Sequence, residues 1–255
     1  MPGLQLIGIT GLPMVQPGDD VSALIADALT ANGLSLQSND VLVIAQKIIS
    51  KSENRFRVLD DVVISDEARA LAQEVAKDPR LIQLILDESV RVVRKRKGVV
   101  IVEHKLGFVQ ANAGIDQSNV ELQDGRERAL LLPENPDASA AQLRHALHAR
   151  CGVAPGIIIN DSTGRPWRNG ITSFAIGVSG FAPVQNCIGR DDLFGRALEV
   201  TQVAVADELA CAASTVMGQA NEAIPVVLVR GLNLPVDEQA SGRELVRPAH
   251  EDLFR

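Results

Sequence analysis

The apolar positions of this chain fall into short runs divided by polar punctuation, and the period of those runs changes along it. Leu4 to Thr10 predicts a first strand, closed by the turn Gly11-Leu12-Pro13. After "PGDD", the residues Val21, Leu24, Ile25 and Leu29 share one helical face, with Asp19 or Asp20 as cap and Asn32-Gly33 as stop. "DVLVIAQKIISK", Asp40 to Lys51, is a β-branched run and predicts a central strand buried on both faces. Helical composition returns from Ser65 to Val75 and again over "DPRLIQLILDES", where Pro79 takes the favoured first position.

Val90 to Val102 alternates in strand-like runs around the basic cluster Arg94-Lys95-Arg96-Lys97, which reads as a solvated edge. Asp137 or Ser139 caps a further helix ending at Arg150, with Gly152 as its left-handed stop. Gly156 to Asn160 and Ile171 to Val178 are strands, Asp191 to Met217 a long helix rich in alanine, and Pro225 to Arg230 a last strand. Beyond Gly231 the sequence turns polar, so 232–255 reads as a tail. The alternation predicts an α+β (mixed α/β) fold, with 1–255 as a single unit.

Composition narrows the function. With 255 residues and 46% hydrophobic content there is ample core, yet aromatic residues make up 3%. A net charge of −7 with so few rings lacks both the basic stripe and the stacking platform of a nucleic-acid surface. No apolar stretch reaches the roughly 20 residues that span a bilayer. The three cysteines are too widely spaced for a zinc knuckle, and the expectation is a reducing cytoplasm.

Candidate chemistry gathers in a few polar loops. Asp116, in "ANAGIDQSN", and Asp161, in "IINDSTGRPWRNG", each follow an apolar segment, where a rigid scaffold can project a functional group. Carboxylate, hydroxyl and amide oxygens suit hard cations such as Mg²⁺ or Mn²⁺, and a pair of these would let an acidic protein hold a triphosphate. Arg165 and Arg168 are candidates for phosphate or carboxylate. The plainer readings are that Asn-Asp-Ser-Thr-Gly is turn chemistry, "ANAGID" a hairpin, and Lys47 and Lys51 solvated edge lysines. No P-loop, G-x-S-x-G elbow or G-x-G-x-x-G motif is present.

In order, "GLPMVQPGDD", "DVLVIAQKIISKSE", "KDPRLIQLILDES", "VQANAGIDQSN", "LLPENPD", "NDSTGRPWRNG" and "TVMGQANEAIPVVLVRG" make the chain resemble the coenzyme F420-0:L-glutamate ligase family from about Leu12 to Gly231. The resemblance implies a two-lobed F420 glutamyl ligase-like fold, a homodimer, and GTP-dependent addition of L-glutamate to F420-0 through an acyl phosphate. It makes Asp116 and Asp161 catalytic ligands of one divalent cation, and Ser162 and Gln219 ligands of a second, with Mg²⁺, Mn²⁺ and also K⁺ as the expected ions. Leu12, Pro13, Met14, Val15, Gln46, Lys47, Lys51 and Asn119 would hold the nucleotide, together with Met217, Gly218, Gln219, Ala220, Asn221, Glu222, Ala223 and Ile224. Ser162 stands where the family commonly has threonine, and Thr163 where it commonly has an aromatic ring. No fused nitroreductase-like domain is expected. The competing readings are a metal-dependent nucleotide or phosphoester hydrolase and a non-enzymatic GTP-sensing module.

Overall fold

The computed structural model describes residues 3–122 and 124–253; the first two residues and the last two of the polar C-terminal stretch lie outside the described residues. In chain order the elements are β1 (Gln5–Ile9), α1 (Val21–Ala31), β2 (Val41–Ala45), α2 (Gln46–Ser52), β3 (Phe56–Val58), α3 (Asp66–Val75), α4 (Pro79–Asp87), β4 (Ser89–Arg96) and β5 (Val99–His104). They continue with β6 (Val109–Ala111), β7 (Arg128–Leu130), α5 (Pro136–Cys151), β8 (Gly156–Gly164), β9 (Ile171–Ser179), β10 (Gln185–Asn186), β11 (Gln202–Val203), α6 (Val205–Met217) and β12 (Val226–Arg230). The class is mixed α/β.

A five-stranded sheet in the order β1-β12-β2-β8-β9 forms the centre. β12 runs antiparallel to both β1 and β2, β2 and β8 are parallel, and β9 is antiparallel to β8. Ile9, Val226, Ile44 and Ile159 therefore stand in one row across the sheet. At that end the chain leaves β1, β2 and β8 and enters β12, so four loops from distant parts of the sequence converge.

Alternate side chains face opposite ways along a strand. Leu42, Ile44, Ile157, Ile159 and Leu228 pack with α1 and α5, while Val41, Val43, Ile158, Val227 and Val229 pack with Ala206, Ala210 and Ala213 of α6. The small residues of α6 thus serve close packing on the chain's own sheet. A second core forms where α3 and α4 cover the three-stranded sheet β4-β5-β6, through Leu71, Val75, Ile82, Ile85, Val100 and Val102. The basic run Arg94–Arg96 lies exposed on the edge strand β4 of that sheet.

Several expectations change. The run Asp40–Lys51 is not one strand: β2 ends at Ala45 and α2 begins at Gln46, turning Ile48 and Ile49 onto the core beneath α1. Asn135 caps α5 by accepting from the amide of Ala138, because Pro136 fills the first helical position and the Asp137 carboxylate is used elsewhere. The long helix begins only at Val205; the preceding residues form an excursion carrying β10 and β11, broken by the left-handed Gly189 and Gly195. Asp161, Ser162 and Thr163 are not a turn but continue β8, paired with Phe174, Ser173 and Thr172.

The pairing of β8 with β9 slips between Ile159 and Asn160, leaving Ile176 as an extra residue in β9. Two helices support the edge strand around that bulge. The amide of Ala175 donates to Asp207 Oδ1 at 2.9 Å, and that of Val178 donates to Asp137 Oδ1 at 2.9 Å. Gly177 lets α5 approach, since a Cβ there would stand 2.5 Å from the Pro136 carbonyl. Asp137 also accepts from Ser241 Oγ at 2.6 Å and from the Gly242 amide at 2.7 Å. The C-terminal stretch is therefore fastened to the sheet, with Leu232, Leu234, Ala240 and Leu245 packed against the α6 side.

Candidate active site

The four converging loops, joined by the segment after β6, enclose a cleft of about 590 Å³. Every residue that the family resemblance singles out lines it: Leu12 to Val15 after β1, Gln46, Lys47 and Lys51 on α2, Asp116 and Asn119 after β6, Asp161 and Ser162 on β8, and Met217 to Ile224 before β12. Arg165 and Arg168 do not. They sit exposed at the tip of the β8–β9 hairpin beside Trp167, which is 91% exposed with φ +64°. A smaller cavity of about 270 Å³, between β9, the β5–β6 connection and the C-terminal stretch, contains none of the singled-out residues.

Helical spacing places Lys47 and Lys51 on one side of α2. Lys51 is buried, and desolvation draws its pKa below the usual lysine range. Gln46 is 2% exposed; its Oε1 accepts from Ser50 Oγ at 2.8 Å, and its Nε2 has no partner among the described residues. The loop before β12 is shaped by Gly218, with φ +75°, where a Cβ would collide with the Glu222 carboxyl. Glu222 accepts from the Ala220 amide at 2.8 Å, which holds its carboxyl below the usual range. Gln219 donates to Ser214 Oγ at 3.0 Å.

Asp116 is positioned by its backbone and compensated by its neighbours. Its N–H and C=O exchange hydrogen bonds with Leu130 at 3.0 and 2.8 Å. The chain reaches it through Asn112, Ala113 and Gly114, all left-handed with φ of 52°, 54° and 65°. Only the glycine adopts that conformation freely, so the other two carry strain next to the site. The Asp116 Oδ1 accepts from the Ser118 amide at 2.8 Å and from its hydroxyl at 2.7 Å. The Oδ2 forms an ion pair with Lys47 Nζ at 2.7 Å.

Asp161 lacks such a cation. Gln110 Nε2 donates to its Oδ2 at 2.6 Å and lies 3.4 Å from the Ser162 carbonyl oxygen. Burial pushes the Asp161 carboxyl up to about 6, and the negative charge of Asp116 adds to the rise. The hydrogen bonds from Gln110 and the Ser162 amide, with the more distant charge of Lys47, oppose it. Beside it, Asn160 Oδ1 is buried without a partner among the described residues.

This donor set fits a hard divalent cation. The Asp116 and Asp161 carboxylates, the Ser162 hydroxyl and amide oxygens line one space, and among the described residues Asp161 has no ion-pair partner and Asn160 Oδ1 is a buried acceptor without a donor. No group of three or more His, Cys, Asp or Glu residues gathers among the described residues, so a cation here would also draw on water or phosphate oxygens. Sequence reasoning had not named Gln110 or Ser118. The signal for Gln110 was a polar residue set between the apolar Val109 and Ala111; that for Ser118 was its place two residues after Asp116, suited to an Asx turn.

A match to the family described as F420-0:Gamma-glutamyl ligase covers residues 10–231. The coenzyme F420:L-glutamate ligase of Methanothermobacter thermautotrophicus is 44% identical over 254 residues, 99% of each chain. The proteins of that name from Methanocaldococcus jannaschii and Methanopyrus kandleri are 42% and 41% identical, with 99% and 100% of this chain aligned to 97% and 100% of theirs. No helix of the described residues is long and apolar enough to cross a membrane.

Proposed function

This chain belongs to the F420-0:gamma-glutamyl ligase family, and we propose that it uses GTP to join L-glutamate to coenzyme F420-0. The observation that carries the reading is one cleft that holds Asp116, ion-paired, and Asp161, not ion-paired among the described residues, beside Lys47 and Lys51. In the proposed reaction an oxygen of the terminal lactyl carboxylate bonds to the γ-phosphorus of GTP as the bridging P–O bond breaks and GDP leaves. The α-amine of glutamate then attacks the acyl carbon, the bond to phosphate breaks, and the nitrogen loses a proton. A second round attaches another glutamate through the γ-carboxyl of the first.

This chemistry asks for charge compensation and positioning more than for a protein nucleophile. The described lining residues accordingly include neither histidine nor cysteine. Two divalent cations at Asp116, Asp161, Ser162 and Gln219 would neutralise the phosphate oxygens, with K⁺ as a further ion. Lys47 and Lys51 meet the charge that develops on the transferred phosphoryl group; partial desolvation strengthens the second of them in this role. The backbone of Leu12 to Val15 reads the edge of the guanine, and Gln46, Asn119 and Met217 to Ile224 complete the nucleotide's surroundings.

We also propose a two-lobed homodimer. Its support is a pair of apolar projections, Trp167 at 91% exposure and Leu193 with Phe194 at 97% and 94%. Mass spectrometry of a reaction containing the protein, GTP, Mg²⁺ or Mn²⁺, L-glutamate and F420-0 tests the activity. A gain of glutamyl units that requires both GTP and the cation is expected. Release of GDP and phosphate with the acceptor unmodified would favour a hydrolase, and GTP binding without turnover a sensor.

A further inference from the structure

Gln110 belongs to β6, a strand of the second sheet, yet its side chain crosses to the central sheet and ends on Asp161. It is 5% exposed, and its amide is committed in one direction, because Nε2 faces a carboxylate oxygen that an amide oxygen would repel. Two consequences follow from that orientation. One oxygen of Asp161 already accepts a hydrogen bond of 2.6 Å, so the carboxylate is a poor bidentate ligand and offers chiefly its other oxygen. The Gln110 Oε1, in turn, is a buried acceptor with no partner among the described residues.

Both features favour one kind of cation. Mg²⁺ demands near-ideal octahedral geometry and keeps several waters, whose hydrogens need acceptors, and Mn²⁺ suits the same octahedral oxygen sites. Ca²⁺ takes more ligands and readily accepts both oxygens of a carboxylate. Resting on the reading of Asp161 as a metal ligand, we propose that Gln110 is a positioning residue that sets the specificity of the site. It holds Asp161 to one-oxygen ligation and supplies an acceptor for metal-bound water, so that the cleft selects a small octahedral cation over Ca²⁺.

The test is direct binding of Mn²⁺ alone and of Ca²⁺ alone to the wild type, Gln110→Met, Asp161→Asn and the double variant. Met fills the buried position without a donor and with only a weak acceptor; Gln110→Leu, with neither, replaces it if Gln110→Met does not give the native melting transition. Loss of an outer partner of a metal ligand weakens binding by about 10- to 100-fold. That loss is expected for Mn²⁺, whereas Ca²⁺ should bind as tightly as before or more tightly, since both Asp161 oxygens become free to ligate it. It should vanish when Asp161 is already Asn, since the residue acts through that carboxylate. Unchanged Mn²⁺ affinity, equal losses for both cations, or a loss that persists in the Asp161→Asn background would overturn the inference and leave the metal site standing. A wild type that binds neither cation would overturn both.

Discussion

Asp116 and Asp161 face the same cleft, but the chain treats them differently. Asp116 arrives on a strained turn, and three hydrogen-bonding groups of Ser118 and Lys47 meet its two oxygens. Asp161 arrives on a paired strand just past a bulge, with a neutral amide for company and a pKa raised to about 6. One carboxylate is balanced by a lysine that the proposed chemistry needs for phosphate. The other is left unbalanced. A cation entering the cleft therefore relieves Asp161 directly, whereas at Asp116 it competes with Lys47.

The contrast can be broken most severely by deletion. Asp161→Ala and Asp116→Ala should each lower the rate of GDP formation in the presence of acceptor and glutamate by about 10³-fold or more, the scale of a lost metal ligand. Circular dichroism should show both still folded, since removing either carboxylate lessens repulsion in the metal-free cleft. Near-normal turnover in either would remove it from the site. A second variant separates the two roles of the lysine. Lys47→Met should slow turnover by about 10²-fold while nucleotide-free Mn²⁺ binds about tenfold more tightly, because the competing charge beside Asp116 is gone. Weaker Mn²⁺ binding in calorimetry would mean that the ion pair is not a competitor.

The mildest test uses pH. Because the folded pKa of Asp161 lies above its ordinary value of 3.8, ionisation of this group opposes folding. Its contribution is fully favourable below about 3.8 and is lost as pH rises through about 6. Without metal, Asp161→Asn should therefore gain thermal stability relative to the wild type across that window, by a degree or a few. The corresponding Asp116→Asn variant should show no such gain, as it gives up the ion pair with Lys47. Parallel melting curves for wild type and Asp161→Asn from pH 4 to pH 7 would show that burial does not perturb this carboxyl.

The same pair shows what the sequence could and could not convey. Elements governed by local rules were legible: a cap at Asp19 or Asp20, where Asp20 serves, the helical stretch from Ser65, Pro79 at the first position of α4, the Gly152 stop, and the apolar run of β12. Asp161 was misread as part of a turn because Asn, Asp, Ser and Thr bond readily to their own backbone. Cross-strand pairing with Phe174, Ser173 and Thr172 overrides that preference, and the actual turn falls later, around Trp167. The β-branched Ile48 and Ile49 concealed α2 for a similar reason, since burial under α1 outweighs their strand preference.

Motif resemblance named the cleft residues, and the structure brings them together. Local patterning could not have done so, because their meeting depends on the order β1-β12-β2-β8-β9, which pairs segments more than 200 positions apart. Gln110 escaped notice on the same ground: its partner is 51 residues away on another sheet. Arg165 and Arg168 were drawn in by charge alone, and the hairpin carries them out of the cleft.

The place of β12 between β1 and β2 also bears on how the protein is made. On a ribosome moving at roughly 5–20 residues per second, β1 waits roughly 10–40 s for its sheet neighbour β12 to be synthesised. Until then β2 has an open edge on that side, and the loop of Leu12 to Val15 has no fixed relation to Gln46 or Asp161. A nascent chain stalled before Val226 therefore has no assembled cleft with which to capture nucleotide, and it exposes a strand of five apolar residues, Val41–Ala45, to any chaperone that reads such edges.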